Sequence, residues 1–182
     1  MKTESNALFI LRVALTLLVI CGVVALALAG VNSITANRIA AIKEANTQAA
    51  IKAVLPGGGS EVPFTDDTGL VKTVYASDTG SAVEVIPAGF GDTIDMMVGV
   101  SKDGSVLGIS IIDHAETAGL GAVAAAQTSA GEAFRGQFAG MTGTLAVSKD
   151  GGQVDAITGA TITSRAVTAG VNAAIACAAA MG

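Results

Sequence analysis

The sequence predicts an α+β protein: an N-terminal transmembrane helix, then a domain of antiparallel sheet with helices packed on it. Three observations predict it. A long uncharged run stands near the N-terminus, short valine-rich runs flank turn-forming stretches in the middle, and an alanine-rich periodic segment closes the chain.

The N-terminal run is "VALTLLVICGVVALALAGV", Val13 to Val31. It is about 19 residues long, close to the ~20 needed to span a bilayer. "LFIL" precedes it, separated by Arg12, whose long side chain can snorkel to the interface. The expected span is 8–31, after a short tail at 1–7. An apolar signal-peptide core is usually ~7–15 residues, so the length favours a retained anchor, although "ALALAG" holds spacings a signal peptidase accepts. Lys2, Arg12 and the amino terminus favour a cytoplasmic N-end and an extracytoplasmic domain; Arg38 and Lys43 beyond the span weigh against it.

Next, "NSITANRIAAIKEANTQAAIKAVLP" reads as a helical stalk over 32–56. Ile39, Ile42, Ala49 and Val54 recur at mixed helical spacing, and Pro56 with Gly57–Gly59 ends it. The remaining domain, 57–182, is long enough to bury a core. "LVKTVYASD" and "AVEVIPAG" are short β-like runs. "IDMMVGVSKDGSVLGISII" reads as two strands around a turn at Asp103-Gly104.

The phrase returns as "AVSKDGGQVDAITGAT". Each copy runs into a threonine-bearing loop, "DHAETAGLG" after the first and "TGATITS" in the second, and each loop enters an alanine-rich stretch. Two hairpin-loop-helix units, with their loops at one site, are the expectation. The last helix is expected from about Thr163 to Ala180, with Val167, Val171, Ile175 and Ala178 as its apolar stripe.

Composition narrows the chemistry. The 182-residue chain carries a formal charge of -5 and no basic block, so nucleic acid is not an expected partner. A single histidine, His114, rules out a histidine-rich metal site. The two cysteines, Cys21 in the span and Cys177 in the last helix, are not placed to pair, and no C-x-x-C suggests an iron–sulfur cluster or c-type haem. Carboxylates are scattered, and neither G-x-S-x-G nor a P-loop is present.

What remains is the hydroxyl cluster Thr158, Thr161, Thr163 and Ser164 at a helix entrance. A helix N-terminus offers free N–H groups and partial positive charge, a ready anion site. Gly159 and Ala160 keep the turn small, so a phosphate can approach the backbone. The plainer alternative is a helix cap at Thr163 or Ser164, with the other hydroxyls incidental.

"TGATITS", preceded by Asp155, resembles the S/T-G-A-T motif of the FMN-binding domain family. "HAETAGLG" is similar to that family's H-x-E-T-P-G-L-G loop, and "FRGQFAGM", from Phe134, to the F-x-x-Q-F segment after it. With the anchor and chain length, the whole resembles the G subunits of Rnf electron-transport complexes; the related C subunits of sodium-pumping NADH:quinone oxidoreductases are longer. Two departures stand out: Ala118 replaces the usual Pro, and Thr158 the commoner Ser.

The resemblance implies FMN joined through its phosphate to Thr161 by a flavin transferase. It implies a cofactor site of Thr158, Gly159, Ala160, Thr163 and Ser164 on one loop and His114, Glu116, Thr117, Gly119 and Leu120 on the other. For His114 a loop-bracing hydrogen bond is an equal alternative, and Gly119 reads as a turn glycine. The implied function is one electron-carrying subunit of an ion-translocating ferredoxin:NAD oxidoreductase, among other membrane and iron–sulfur subunits and membrane lipid, with no complete reaction of its own. The alternatives are a free-standing covalent-FMN carrier, or a flavin-free anchored assembly or binding module.

Overall fold

The structure, a computed structural model, describes residues 6–64 and 68–181. Lys2 and the first part of the expected tail lie outside the described residues. The chain divides into two units, 1–44 and 45–182.

The described residues of the first unit, 6–44, are helix alone. They form most of α1, Asn6–Val54, which runs 49 residues without a break. Every side chain from Leu8 to Asn46 is exposed. This stretch is long enough to cross a membrane and holds an 18-residue window of mean hydropathy 2.7.

The second unit opens with the last turns of α1. Here Thr47, Ala50, Ile51, Val54 and Leu55 are buried, a stripe at i, i+3, i+4, i+7 and i+8. The stripe differs from the expected one: Ile39 and Ile42 are exposed, and of the four named residues only Val54 is buried. The last twelve residues of the expected stalk, 45–56, thus belong to the compact domain.

Five strands follow as a meander in the order β1-β2-β3-β4-β5, all antiparallel: β1 Ser60–Val62, β2 Val71–Ala76, β3 Gly80–Val85, β4 Asp95–Ser101 and β5 Val106–Asp113. The β4–β5 turn falls at Lys102–Gly104, with Gly104 at φ 81°, as its Asp-Gly signal requires. All of β3 is buried, and so is β4 apart from Ser101, because both sheet faces are covered. On one face Ala82 and Met97 meet Ala50, Ile51, Val54 and Leu55. At Gly99 a Cβ would lie 2.4 Å from the Val54 carbonyl oxygen, so only glycine admits the helix end there.

The other face carries α2, Ser129–Gly136, and α3, Thr161–Met181. Val83, Val85, Met96, Val98 and Val100 pack with Phe134, Phe138, Val167, Val171, Ala174 and Cys177. The buried stripe of α3 drifts to Ala174 and Cys177, while Ile175 and Ala178 are half-buried beside it. α3 is also long and apolar enough to cross a membrane, but half of it is buried, as in a core helix.

The second "SKDG" copy is not a hairpin. Ser148–Asp150 forms a single 3-10 turn, closed by Gly151 at φ 82°, with one parallel bridge from Val147 to Val154. The reason is in the residues that follow. The first copy supplies the eight-residue strand Val106–Asp113, whereas the second has Gly151-Gly152-Gln153 and a lone valine before Asp155. The alanine-rich stretch after the first loop also differs: it makes a 3-10 turn, Gly121–Ala124, and α2 starts only at Ser129, capped by the Thr128 hydroxyl accepting from the Gly131 N–H.

Candidate functional site

The two threonine loops do meet. A cavity of about 290 Å³ is lined by Phe90, Glu116, Thr117, Leu120, Gly121 and residues 159–163. Of the residues expected at the site, it brings together Glu116, Thr117, Leu120, Gly159, Ala160, Thr161 and Thr163. It leaves out Thr158, Ser164, His114 and Gly119. A larger cavity of about 520 Å³ lies between the β2–β3 and β4–β5 turns and the end of α3, and none of the motif residues lines it.

The entrance of α3 is held from four sides. The Gln137 side chain accepts from the Asp155 N–H at 2.8 Å and donates to the Asp155 carbonyl at 3.2 Å. The Ser164 hydroxyl accepts from the Ile157 N–H and donates to the Ala160 carbonyl, both at 3.0 Å. Gly159, at φ 77°, makes the left-handed turn into the helix, where a Cβ would also press Leu120. The fourth hold is an ion pair: the Arg165 guanidinium donates to both Asp150 oxygens, at 2.7 and 2.6 Å, and keeps that carboxyl below its ordinary range.

Neither Thr163 nor Ser164 caps the helix, contrary to the plainer alternative. Ser164 is fully buried behind the entrance, and the Thr163 hydroxyl donates to Glu116. The residue before the helix is Ala160, whose methyl accepts nothing. The first helical bond is from the Ser164 N–H to the Ala160 carbonyl. The N–H groups of Thr161, Ile162 and Thr163 therefore have no helical acceptor, and among the described residues no other acceptor pairs with them. The helix end is open toward the cavity.

A cation sits beside that end. Lys149, on the 3-10 turn pinned by Asp150–Arg165, donates to Thr161 Oγ1 at 3.0 Å. In the sequence "SKDG" reads as a turn and nothing more, which does not single out Lys149. Its only signal was its place next to Asp150, which needs Arg165 to become a fixed turn.

Glu116 anchors the other wall, with 9% of its surface exposed. It accepts from the Phe90 N–H at 2.8 Å, the Gly91 N–H at 3.0 Å and the Thr163 hydroxyl. Burial pushes its carboxyl up, but the Thr163 hydroxyl, the two backbone donors and nearby His114 together hold it below the ordinary glutamate value. His114 turns inward: its Nδ1 accepts from the Glu116 N–H at 3.2 Å, the loop-bracing role. Gly119, at φ 76°, serves the turn.

Two glycines leave room for this carboxylate. A Cβ at Gly89 would lie 2.3 Å from one Glu116 oxygen, and a Cβ at Gly121 would lie 2.3 Å from the other and 2.5 Å from Thr163 Oγ1. Gly121→Ala is therefore expected to lower stability by about 1–3 kcal/mol through overpacking. A thermal unfolding midpoint equal to wild type would show that the socket yields freely.

Phosphate fits this site. Three open N–H groups, a lysine ammonium and a hydroxyl converge at the start of α3, while the rest of the lining combines apolar Phe90, Leu120 and Ile162 with the Thr117 side chain and a Glu116 carboxylate already held by its own donors.

The FMN-binding domain family matches residues 89–176. The chain is 36% identical to the G subunit of the proton-translocating ferredoxin:NAD(+) oxidoreductase complex of Clostridium ljungdahlii, over 94% of this chain and 92% of that one. It is 33% identical to the G subunit of the Na(+)-translocating ferredoxin:NAD(+) oxidoreductase complex of Acetobacterium woodii, over 96% and 94%. It is 31% identical to the G subunit of the ion-translocating oxidoreductase complex of Methanosarcina acetivorans, over 94% and 95%. Likeness that runs almost end to end, around an FMN-binding domain that holds the cavity, places this protein in the family of G subunits of ion-translocating, Rnf-type oxidoreductase complexes.

Proposed function

We propose that this chain is the membrane-anchored, electron-carrying subunit of an Rnf-type ion-translocating ferredoxin:NAD oxidoreductase, with FMN esterified through its phosphate to Thr161. The observation that carries it is the Thr161 hydroxyl, set at an uncapped helix entrance and bonded to Lys149. When bound, the flavin supplies the electron chemistry; the protein supplies position and field.

Thr161 is the nucleophile in attachment. Its Oγ1 forms the new bond to phosphorus, and its proton leaves to a base of the flavin transferase. Joining an alcohol to a free phosphate in water is uphill, so the donor is a flavin dinucleotide, whose pyrophosphate bond breaks to release a nucleoside monophosphate. Lys149 and the three open N–H groups neutralise the phosphate charge. Ala160, Gly159 and Thr117 leave the walls low enough for the ribityl chain, and Glu116 fixes the wall opposite. Thr158 and Ser164, outside the cavity lining, act on the loop rather than on the cofactor. The other membrane and iron–sulfur subunits exchange electrons with this one, and lipid surrounds the apolar part of α1.

The mass of the intact protein from its own host tests attachment. The expected mass exceeds that of the polypeptide by one FMN less one water, with the increment on the peptide holding Thr161. An unmodified mass overturns it.

The N-terminus lies in the cytoplasm and the domain on the other face, as Arg12 beside a single span favours. Ser148 is exposed and Cys177 buried. Ser148→Cys is expected to react with an impermeant thiol reagent on intact cells; reaction only after lysis reverses the orientation.

A further inference from the structure

Outside α1, the large apolar side chains exposed among the described residues are Phe90 (68%), Leu107 (43%), Leu120 (44%), Ile162 (50%) and Met181 (37%). Three of them, Phe90, Leu120 and Ile162, line the cavity at Thr161. Three exposed large apolar side chains gathered at one cavity mark a contact site.

The turn that carries Phe90 is rigid. The Gly89 N–H bonds the Asp92 carbonyl at 2.8 Å, and Ala88 pairs with Thr93. The Phe90 and Gly91 N–H groups are held by Glu116. A Cβ at Gly91 would lie 2.2 Å from the Ala115 carbonyl oxygen, so the turn sits directly on the Glu116 loop. A phenyl group two-thirds exposed on a fixed turn is poised for a ligand.

We propose that Phe90, with Leu120 and Ile162, is the apolar lip that holds the isoalloxazine ring, Phe90 being a positioning residue for the flavin that no sequence motif assigned. This rests on the attachment at Thr161. At about 290 Å³ the cavity is at the small end of the ~300–1,000 Å³ typical of ligand pockets, so a flavin tethered inside it extends onto the rim. The rim is where these three side chains stand. Tethering at Thr161, next to Ile162, gives the ring a high effective concentration there, and aromatic faces stack in offset geometry.

The chain has no tryptophan and one tyrosine, Tyr75 on β2. A tryptophan in contact with a flavin quenches its fluorescence by electron transfer, so an introduced one reports contact against a low background. The test uses full-length flavinylated protein in detergent, as Phe90→Trp and as Leu107→Trp, the latter outside the cavity lining. Phe90→Trp is expected to lose most of its flavin emission, several-fold against wild type, and Leu107→Trp little. Phe90→Ala is expected to keep the covalent flavin and make it more accessible to iodide quenching. Equal emission from the two tryptophan variants, or iodide access unchanged in Phe90→Ala, removes Phe90 from the ring's contacts while the attachment stands. Wild-type protein that carries no flavin overturns the attachment and this inference together.

Discussion

Thr161→Ala is expected to abolish covalent flavin completely. The only hydroxyl on the cavity side of the α3 entrance bonded to Lys149 is that of Thr161, and the neighbouring hydroxyls are committed elsewhere: Thr163 to Glu116, Ser164 to Ile157 and Ala160. Neither of these two is free to substitute, and Thr158 lies outside the cavity lining. The fold should survive, because Thr161 is half-buried and its one side-chain bond reaches an exposed lysine; such a change usually alters stability by less than ~0.5 kcal/mol. Flavin fluorescence in a denaturing gel reads the result. A mutant band as bright as wild type would move the attachment to another residue.

The second large effect is on stability. Glu116→Ala leaves the Phe90 and Gly91 N–H groups and the Thr163 hydroxyl without their acceptor in a buried position, a loss of about 2–4 kcal/mol. Glu116→Gln keeps the connectivity: its carbonyl faces the two N–H groups, and its amide donates to Thr163, whose hydroxyl then accepts. Its loss should be smaller, about 1 kcal/mol. The two differ in pH response from wild type. Because the folded Glu116 carboxyl lies below its ordinary value, its contribution is fully present above the unfolded value of ~4.3 and is lost as pH falls through the folded one. Denaturant unfolding from pH 7 down to 3 should show that loss in wild type and a flatter profile in Glu116→Gln. Identical profiles would make the carboxylate's charge irrelevant to folding. In flavinylated protein, Glu116→Gln should also raise the flavin midpoint, since removing a negative charge favours added electrons.

Much of this was legible in the sequence. The anchor, the hairpin at Asp103-Gly104 and the hydroxyl-rich entrance of α3 each follow from short-range signals: apolar length, turn residues, a cluster before an alanine run. Thr161, Glu116, Thr117 and Leu120 were named from loops about 40 residues apart, and the fold does bring them to one cavity. What was not legible depends on partners distant in the chain. The burial of Glu116 and its donors Phe90 and Thr163 show only once residues 26 and 47 positions away fold against it. Lys149 gains its place only through the pairing of Asp150 with Arg165. The repeated "SKDG" misled because the tetrapeptide marks a turn, while the residues after it decide whether there is a strand to turn back.

The buried stripe at the end of α1 also decides where the protein can be cut. Hydropathy and the Pro-Gly punctuation at 56–59 invite a truncation at Pro56, just after the helix. That cut would remove Ala50, Ile51, Val54 and Leu55 and leave Ala82 and Met97 facing water on an open sheet face, a surface that invites aggregation. A water-soluble fragment should therefore start by Ala45, where the compact unit begins. It would carry about three turns of helix that look like linker but serve as one of the domain's layers.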